Sequence, residues 1–156
     1  MTDLALRWDT ELFGADLALD GAALATDDGL KTAVIISLFT DARARDDDPL
    51  PDAGEHGGDR RGWWGDAEPA IARDAIGSRL WLLSREKRLP SVVARAREYS
   101  EEALAWLVRD GVADRVSVQA EAVGEQTLGI LVEITRPAGP GRLRFDFVWE
   151  ATANAV

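Results

Sequence analysis

The sequence predicts an α+β fold, in which a C-terminal three-stranded antiparallel meander packs on two to three helices. Apolar and polar residues alternate in three runs, 116–122, 128–135 and 142–149, as they do in strands with one buried face. The connections 123–126 and 137–141 are too short for crossover helices, so neighbouring strands must run antiparallel. Apolar residues earlier in the chain recur at spacings of three and four, which is typical of helices.

The N-terminal part predicts a small hairpin followed by a helix. Residues 15–26 alternate around Asp20-Gly21, a dipeptide typical of tight hairpin turns. A helix is predicted over 28–40, where Asp27 and Asp28 are candidates for the N-cap. Its apolar residues recur at every fourth position, namely Leu30, Val34 and Leu38.

Residues 41–66 predict a long loop, because glycines, prolines and like charges interrupt every periodic pattern there. Loops of this length inside a compact domain tend to be functional or disordered. Two helical segments should follow. The segment 76–83 predicts a short buried helix capped by Ser78, and a second helix should begin at Pro90 and end at Gly111.

Length and composition predict one domain over residues 1–150 with a frayed tail at 151–156. The net charge of −10 argues against nucleic acid or an anionic membrane as a partner. Cysteine is absent from the sequence, which excludes disulfides and thiolate chemistry. We expect neither a secretory signal nor a membrane span, since the apolar runs are too short for either.

Signals for catalysis or metal binding are weak. His56 is the only histidine, and it lacks the Gly-x-Ser-x-Gly context of a hydrolase nucleophile. Acidic residues of the long loop could gather calcium, but their spacing does not fit an EF-hand; they are Asp46, Asp47, Asp48, Asp52 and Glu55. Among 28 acidic residues, no particular carboxylate pair points to glycoside hydrolysis. We therefore predict no catalytic residue, cofactor or metal.

The octet 59–66, Asp-Arg-Arg-Gly-Trp-Trp-Gly-Asp, is the most informative segment. Tryptophan and arginine are enriched at interface hot spots, so Arg60, Arg61, Trp63 and Trp64 are candidate interface residues. The alternative, of about equal weight, is that the loop folds back and fills the protein's own core. At least one of the two indoles is expected to pack inward.

The last strand is a second candidate interface. Arg142, Arg144 and Asp146 alternate on its outward face. Charged side chains at such positions protect an edge strand from unspecific pairing with other strands. The backbone of such an edge can still pair with a strand of another chain.

The octet 59–66 and the Gly-Ser-Arg-Leu-Trp-Leu-Leu run at 77–83 resemble the Mu-like phage baseplate wedge family, known as phage protein forty-six. That family is similar to the small wedge proteins of contractile-tail phages. The resemblance implies a non-enzymatic virion component of the tail baseplate, assembled in the host cytoplasm. It would dock on a larger wedge scaffold protein and offer strands to the first ring of tail sheath subunits. The tail tube and the spike hub are further candidate partners.

The wider wedge group carries a Glu-Pro-Arg element just after a helix that would correspond to residues 78–84. The chain reads Arg-Glu-Lys-Arg at 85–88, so only Glu86 could match and the proline is absent. With this resemblance, Arg79, Arg85 and Glu86 join the candidate interface residues. The alternative function is a tail-associated peptidoglycan glycosidase that uses a carboxylate pair.

Overall fold

The computed structural model describes residues 3–27, 29–51, 58–72, 74–84, 86, 90–138 and 141–150. It confirms the α+β class and the C-terminal antiparallel meander. The domain limits at 1–150 stay a prediction. The tail at 151–156 lies outside the described residues, as do Asp52, Glu55, His56 and Arg85.

The N-terminal region forms three short antiparallel arms. The six strands are β1 (Asp3–Leu4), β2 (Leu6–Asp9), β3 (Gly14–Leu17), β4 (Leu19–Asp20), β5 (Ala23–Leu24) and β6 (Thr26–Asp27). They pair as β1 with β6, β2 with β3, and β4 with β5. Backbone hydrogen bonds join the arms in a cycle, in which Ala5 donates to Ala25, Ala25 to Ala18 and Ala18 to Ala5. The predicted hairpin is thus one arm of a three-way junction, with Gly21 at a φ of 62° in its turn.

Helix α1 (Lys31–Phe39) begins three residues later than the sequence predicts. The Asp27 carboxylate accepts hydrogen bonds from the backbone N–H groups of Gly29 (2.8 Å) and Thr32 (2.8 Å). Asp27 therefore satisfies a donor of the first helical turn from outside the helix, although Leu30 occupies the N-cap position. Asp28 lies outside the described residues.

In the predicted loop 41–66, the described residues 42–51 and 58–63 form neither helix nor strand, and a one-turn 3-10 helix follows at Trp64–Ala67. The start of the loop is pinned by a parallel bridge between Asp41 and Ser78. The segment predicted as a short helix over 76–83 is a 3-10 helix at Leu80–Leu83, and all four of its residues are buried. The Ser78 hydroxyl accepts a hydrogen bond from the Leu80 N–H and donates one to the Leu38 carbonyl. The N-cap position of this turn is nevertheless Arg79, one residue after the predicted cap.

The predicted helix from Pro90 to Gly111 is interrupted. Helix α2 (Pro90–Leu104) and helix α3 (Trp106–Arg109) are separated at Ala105, whose N–H donates to the Glu102 carbonyl in a tighter, 3-10 pattern. Gly111 ends α3 with a φ of 73°, as the left-handed C-cap predicts.

The meander consists of β7 (Arg115–Ala122), β8 (Thr127–Thr135) and β9 (Arg142–Glu150), paired in that order. Even-numbered residues of β8 are buried and pair with odd-numbered residues of β9, so one sheet face meets α2 and the other remains open. The core between sheet and helices includes Leu104, Leu107, Ile130, Val132 and Phe147.

Candidate functional site

Both tryptophans of the octet point outward. The Trp64 side chain is 84% exposed and the Trp63 side chain 44% exposed. Their ring centroids lie 5.3 Å apart, so they form one aromatic pair on the surface. The expectation that one indole packs inward is therefore wrong, as is the alternative that the pair fills the core. Gly65 allows this arrangement, because a Cβ at that position would overlap the Trp63 ring.

The two arginines before this pair anchor the loop to the rest of the protein. The Arg60 guanidinium donates to the backbone carbonyls of Arg45 (3.1 Å) and Asp46 (3.2 Å). The Arg61 guanidinium pairs with the Asp41 carboxylate at 2.6 Å. It also lies 4.9 Å from the ring centroid of Trp81, within the range of a cation–π contact. Arg60 and Arg61 thus brace the segment that carries the aromatic pair.

Arg79 immediately precedes the 3-10 helix Leu80–Leu83, and only 6% of its surface is exposed. Its guanidinium pairs with Asp48 at 2.8 Å and with Glu102 at 2.5 Å, and it covers the Tyr99 ring at 4.3 Å. Burial alone would lower the pKa of Arg79, but the hydrogen bonds to Glu102 and Asp48 outweigh it and hold the pKa above its ordinary value. A buried guanidinium presents no surface to a partner. Arg79 therefore acts by tying the loop at Asp48 to helix α2.

Glu86 is half-buried and forms an ion pair with Arg95 of helix α2. The hydrogen bond to Glu86 raises the pKa of Arg95. This pair attaches the chain just before α2 to the helix itself. The interface role of Glu86 stays a prediction.

Strand β9 is one of the two edge strands of the meander and pairs only with β8 among the described strands. The Arg136 N–H donates to the Gly141 carbonyl, which continues the β8–β9 ladder. Hydrogen-bonded and non-bonded pairs alternate in antiparallel sheets, so odd-numbered residues of β9 bond to β8. The backbone groups of Arg142, Arg144 and Asp146 therefore face away from the sheet.

The exposed side chains of this edge pair with their neighbours. Arg142 lies 2.9 Å from Glu133, and Arg144 lies 3.3 Å from Asp146. Further along the edge, the Trp8 indole N–H donates to the Val148 carbonyl at 2.9 Å, so the N-terminal arms cover that end. The open part of the edge is the half that carries the three predicted residues.

Two carboxyl groups of the described residues, those of Asp9 and Asp27, have a shifted pKa, and both are lowered. Hydrogen bonds from the N–H groups of Leu12 and Glu11 lower the pKa of Asp9. Burial would raise the pKa of Asp27, but hydrogen bonds from Thr32 and Gly29 hold it below its ordinary value. A glycosidase acid requires the opposite shift. Among the described residues, no group of three or more His, Asp or Glu side chains is placed to hold a metal ion.

Sequence reasoning missed a set of exposed leucines on the N-terminal arms. Leu19 is 71% exposed, and three more are close to half exposed, namely Leu4, Leu17 and Leu24. Leu19 and Leu24 face each other across the β4–β5 arm. Alternation in the sequence indicated strands here, but it could not tell which strand face lacks a cover.

The described residues thus define an acidic α+β protein with a braced aromatic pair and a partly open sheet edge, features typical of a protein-binding module. No helix in the described part of the chain is both long and apolar enough to cross a bilayer. Comparison with known proteins is specific: residues 30–141 match the model of the family Phage protein GP46, and the chain belongs to this family.

Two relatives extend this match over most of the chain. The chain is 50% identical over 140 residues to "Baseplate protein gp46" of Escherichia phage Mu, which covers 89% of this chain and 90% of the relative. It is 44% identical over 136 residues to "Mu-like prophage FluMu protein gp46" of Haemophilus influenzae, covering 86% and 85% respectively. The family resemblance predicted from the octet is confirmed.

Proposed function

We propose that this chain is a structural component of a phage tail baseplate, and hence part of the virion. The name of the relative from phage Mu supports this role, since the two proteins are similar over nearly their whole lengths. The observation that carries the proposal is the exposed pair Trp63 and Trp64 on a loop that the protein itself holds in place.

The aromatic pair is the docking surface for a larger wedge scaffold protein. Tryptophan supplies a large apolar area with few rotatable bonds, so it loses little conformational entropy when it is buried by a partner. The contacts of Arg60 and Arg61 order the loop before binding, which further lowers the cost of association. Arg60 and Arg61 act here by positioning the two indoles.

The open half of β9 pairs with a strand of a tail sheath subunit. The free backbone groups at Arg142, Arg144 and Asp146 provide hydrogen bonds for strand addition. Their side chains favour a partner strand with complementary charges. Glu86 and Arg85 contribute to the scaffold contact, and the tail tube and spike hub are further partners. Assembly takes place in the host cytoplasm, and no catalytic step is involved.

Deletion of the gene from the phage that encodes it tests this function. We expect a loss of infectious particles and tails without complete baseplates in negative-stain electron microscopy. Wild-type protein supplied in trans should restore both, whereas Trp63→Ala/Trp64→Ala should restore neither while remaining folded. A matched control replaces two exposed apolar residues elsewhere, Leu12→Ala/Val123→Ala, and should restore assembly.

Two results would contradict the proposal. Intact tails and full infectivity after deletion would show that the protein has no place in the baseplate. Hydrolysis of purified peptidoglycan by the isolated protein, abolished by one Asp or Glu substitution, would instead favour the glycosidase alternative.

A further inference from the structure

A groove of about 640 Å³ lies between α1, the junction of α2 and α3, and the segments 63–70 and 74–77. This volume falls within the range of about 300–1,000 Å³ that is usual for binding pockets. Its floor and walls include six apolar or aromatic side chains, from Ala33, Ile36, Trp63, Ile76, Ala103 and Trp106. The Trp106 indole N–H donates to the Ser37 hydroxyl at 3.1 Å, which fixes one wall.

Carboxylates surround this apolar floor. They come from Asp3, Asp66, Glu68, Asp74 and Asp110, and none of the described lining residues is Lys or Arg. Asp110 is paired with Arg109 at 2.9 Å, and Asp66 accepts a hydrogen bond from the Ile76 N–H. Glu68 and Asp74 are both exposed. The hydrogen bond to Asp110 and the charge of Asp74 raise the pKa of Arg109, so this cation lies beside the groove. The five lining carboxylates outnumber it, and they set the sign of the local potential.

We propose that this groove binds a segment of a partner polypeptide that carries an apolar anchor flanked by Lys or Arg. The inference rests on the proposed function, because it specifies the chemistry of one partner of an assembly protein. The apolar floor receives the anchor, and the carboxylate rim pairs with the flanking cations. Trp63 belongs both to the groove wall and to the exposed aromatic pair, so one partner can cover both surfaces.

Charge also distinguishes this occupant from a second copy of the chain. Each copy has a net charge of −10, so bringing another acidic surface against the rim is unfavourable. An acidic segment from any partner is rejected for the same reason. A basic segment is the occupant that the groove complements.

The test uses two synthetic amphipathic peptides of about 14 residues with the same leucine positions, spaced three and four apart so that they fall on one helix face. Their polar positions carry only Lys in one peptide and only Glu in the other. Each is titrated into the full-length, isotope-labelled protein and followed by backbone amide chemical shifts. We expect the Lys peptide to shift the amides of Ala33, Ile36, Ile76 and Ala103, and the Glu peptide to shift none of them.

A pair of charge-matched variants separates a local rim effect from the overall charge. Glu68→Lys/Asp74→Lys changes the rim, whereas Asp16→Lys/Asp20→Lys makes the same change in net charge on the N-terminal arms. We expect the rim variant to weaken binding of the Lys peptide at least about tenfold and the arm variant less than about twofold.

Several outcomes overturn the inference. They are equal binding of the Glu peptide, shifts outside the groove, and equal weakening by both charge variants. Groove shifts that appear on concentrating the protein alone would identify a second copy as the occupant instead. These measurements use the isolated protein, so their result does not depend on the test of tail assembly. If the peptide binds the groove but gene deletion leaves the tails normal, only the baseplate role is refuted.

Discussion

Replacing Arg79 by methionine should destabilise the protein strongly, although Arg79 contributes no surface to a partner. Methionine keeps much of the apolar stem but removes the cation shared by Asp48 and Glu102. The side chains of Arg79 and Asp48 are 7% and 9% exposed, so this pair is buried, and solvent cannot replace the lost cation at Asp48.

The structure also bounds the magnitude. Removing one partner of a buried ion pair costs about 3–5 kcal/mol. Asp48 still accepts a hydrogen bond from the Arg45 N–H (2.8 Å), and Glu102 still pairs with the Arg45 guanidinium (2.6 Å). These remaining contacts place Arg79→Met near the lower limit, at about 3 kcal/mol. For a chain of this length, that corresponds to a fall in Tm of about 6–12 °C.

Arg45→Met is the matched control, because Arg45 pairs with the same Glu102 at the surface. The two side chains of this second pair are 58% and 44% exposed, and exposed pairs contribute about 0–1 kcal/mol. Urea unfolding followed by circular dichroism at 222 nm measures both variants. Arg79→Met/Asp48→Leu should be more stable than Arg79→Met alone, since it removes the uncompensated carboxylate.

Equal stability of Arg79→Met and Arg45→Met would refute this reasoning, because burial would then have no influence on the strength of the pair. The same conclusion would follow if adding Asp48→Leu lowered the stability of Arg79→Met further. In either case Arg79 would no longer explain how the loop at Asp48 is held to helix α2.

Three further predictions concern the helix start, a glycine with positive φ and the sheet edge. Asp27→Ala should lower the free energy of unfolding by about 1 kcal/mol at pH 7. Because the pKa of Asp27 is lower in the folded protein than its ordinary value of 3.8, the carboxylate stabilises the fold above pH 3.8, and this stabilisation is lost as the pH falls below 3.8. Urea unfolding at a series of pH values measures the loss. Gly77→Ala should destabilise more than Gly21→Ala in thermal unfolding, since both have positive φ but a Cβ at Gly77 would also overlap the Thr40 carbonyl, whereas Gly21 faces open space. Asp146→Pro should unfold at nearly the same urea concentration as Asp146→Ala. Only Asp146→Ala should restore tail assembly, because proline removes an outward backbone N–H of the edge strand. Equal restoration by both variants would exclude strand addition at this position.

The sequence predicted the meander well because its strands have one covered face. Burial against helix α2 requires an apolar residue at every second position, and that requirement is visible in residues such as Ile130, Val132 and Ile134. The end of α3 was equally predictable, since the left-handed position at Gly111 selects for glycine.

Other features could not be predicted because they depend on contacts distant in the chain. The three-way junction rests on backbone hydrogen bonds among Ala5, Ala18 and Ala25, and alanine carries no signal for such bonds. The interruption of the predicted long helix at Ala105 involves neither glycine nor proline. Local propensity alone would have continued that helix.

The direction of the octet's side chains shows how tertiary contacts decide which residues face a partner. Composition alone makes the arginines and the tryptophans of one loop equally good candidates for interface residues. In the folded chain, Arg60, Arg61 and Arg79 are engaged by carbonyls, carboxylates and aromatic rings of the protein itself. Their guanidinium groups therefore hold the loop in place. The surface beside the loop carries the two indoles and the carboxylates of the groove. A partner that matches this surface needs apolar side chains and cations, which is why the aromatic pair and the groove favour the same kind of partner.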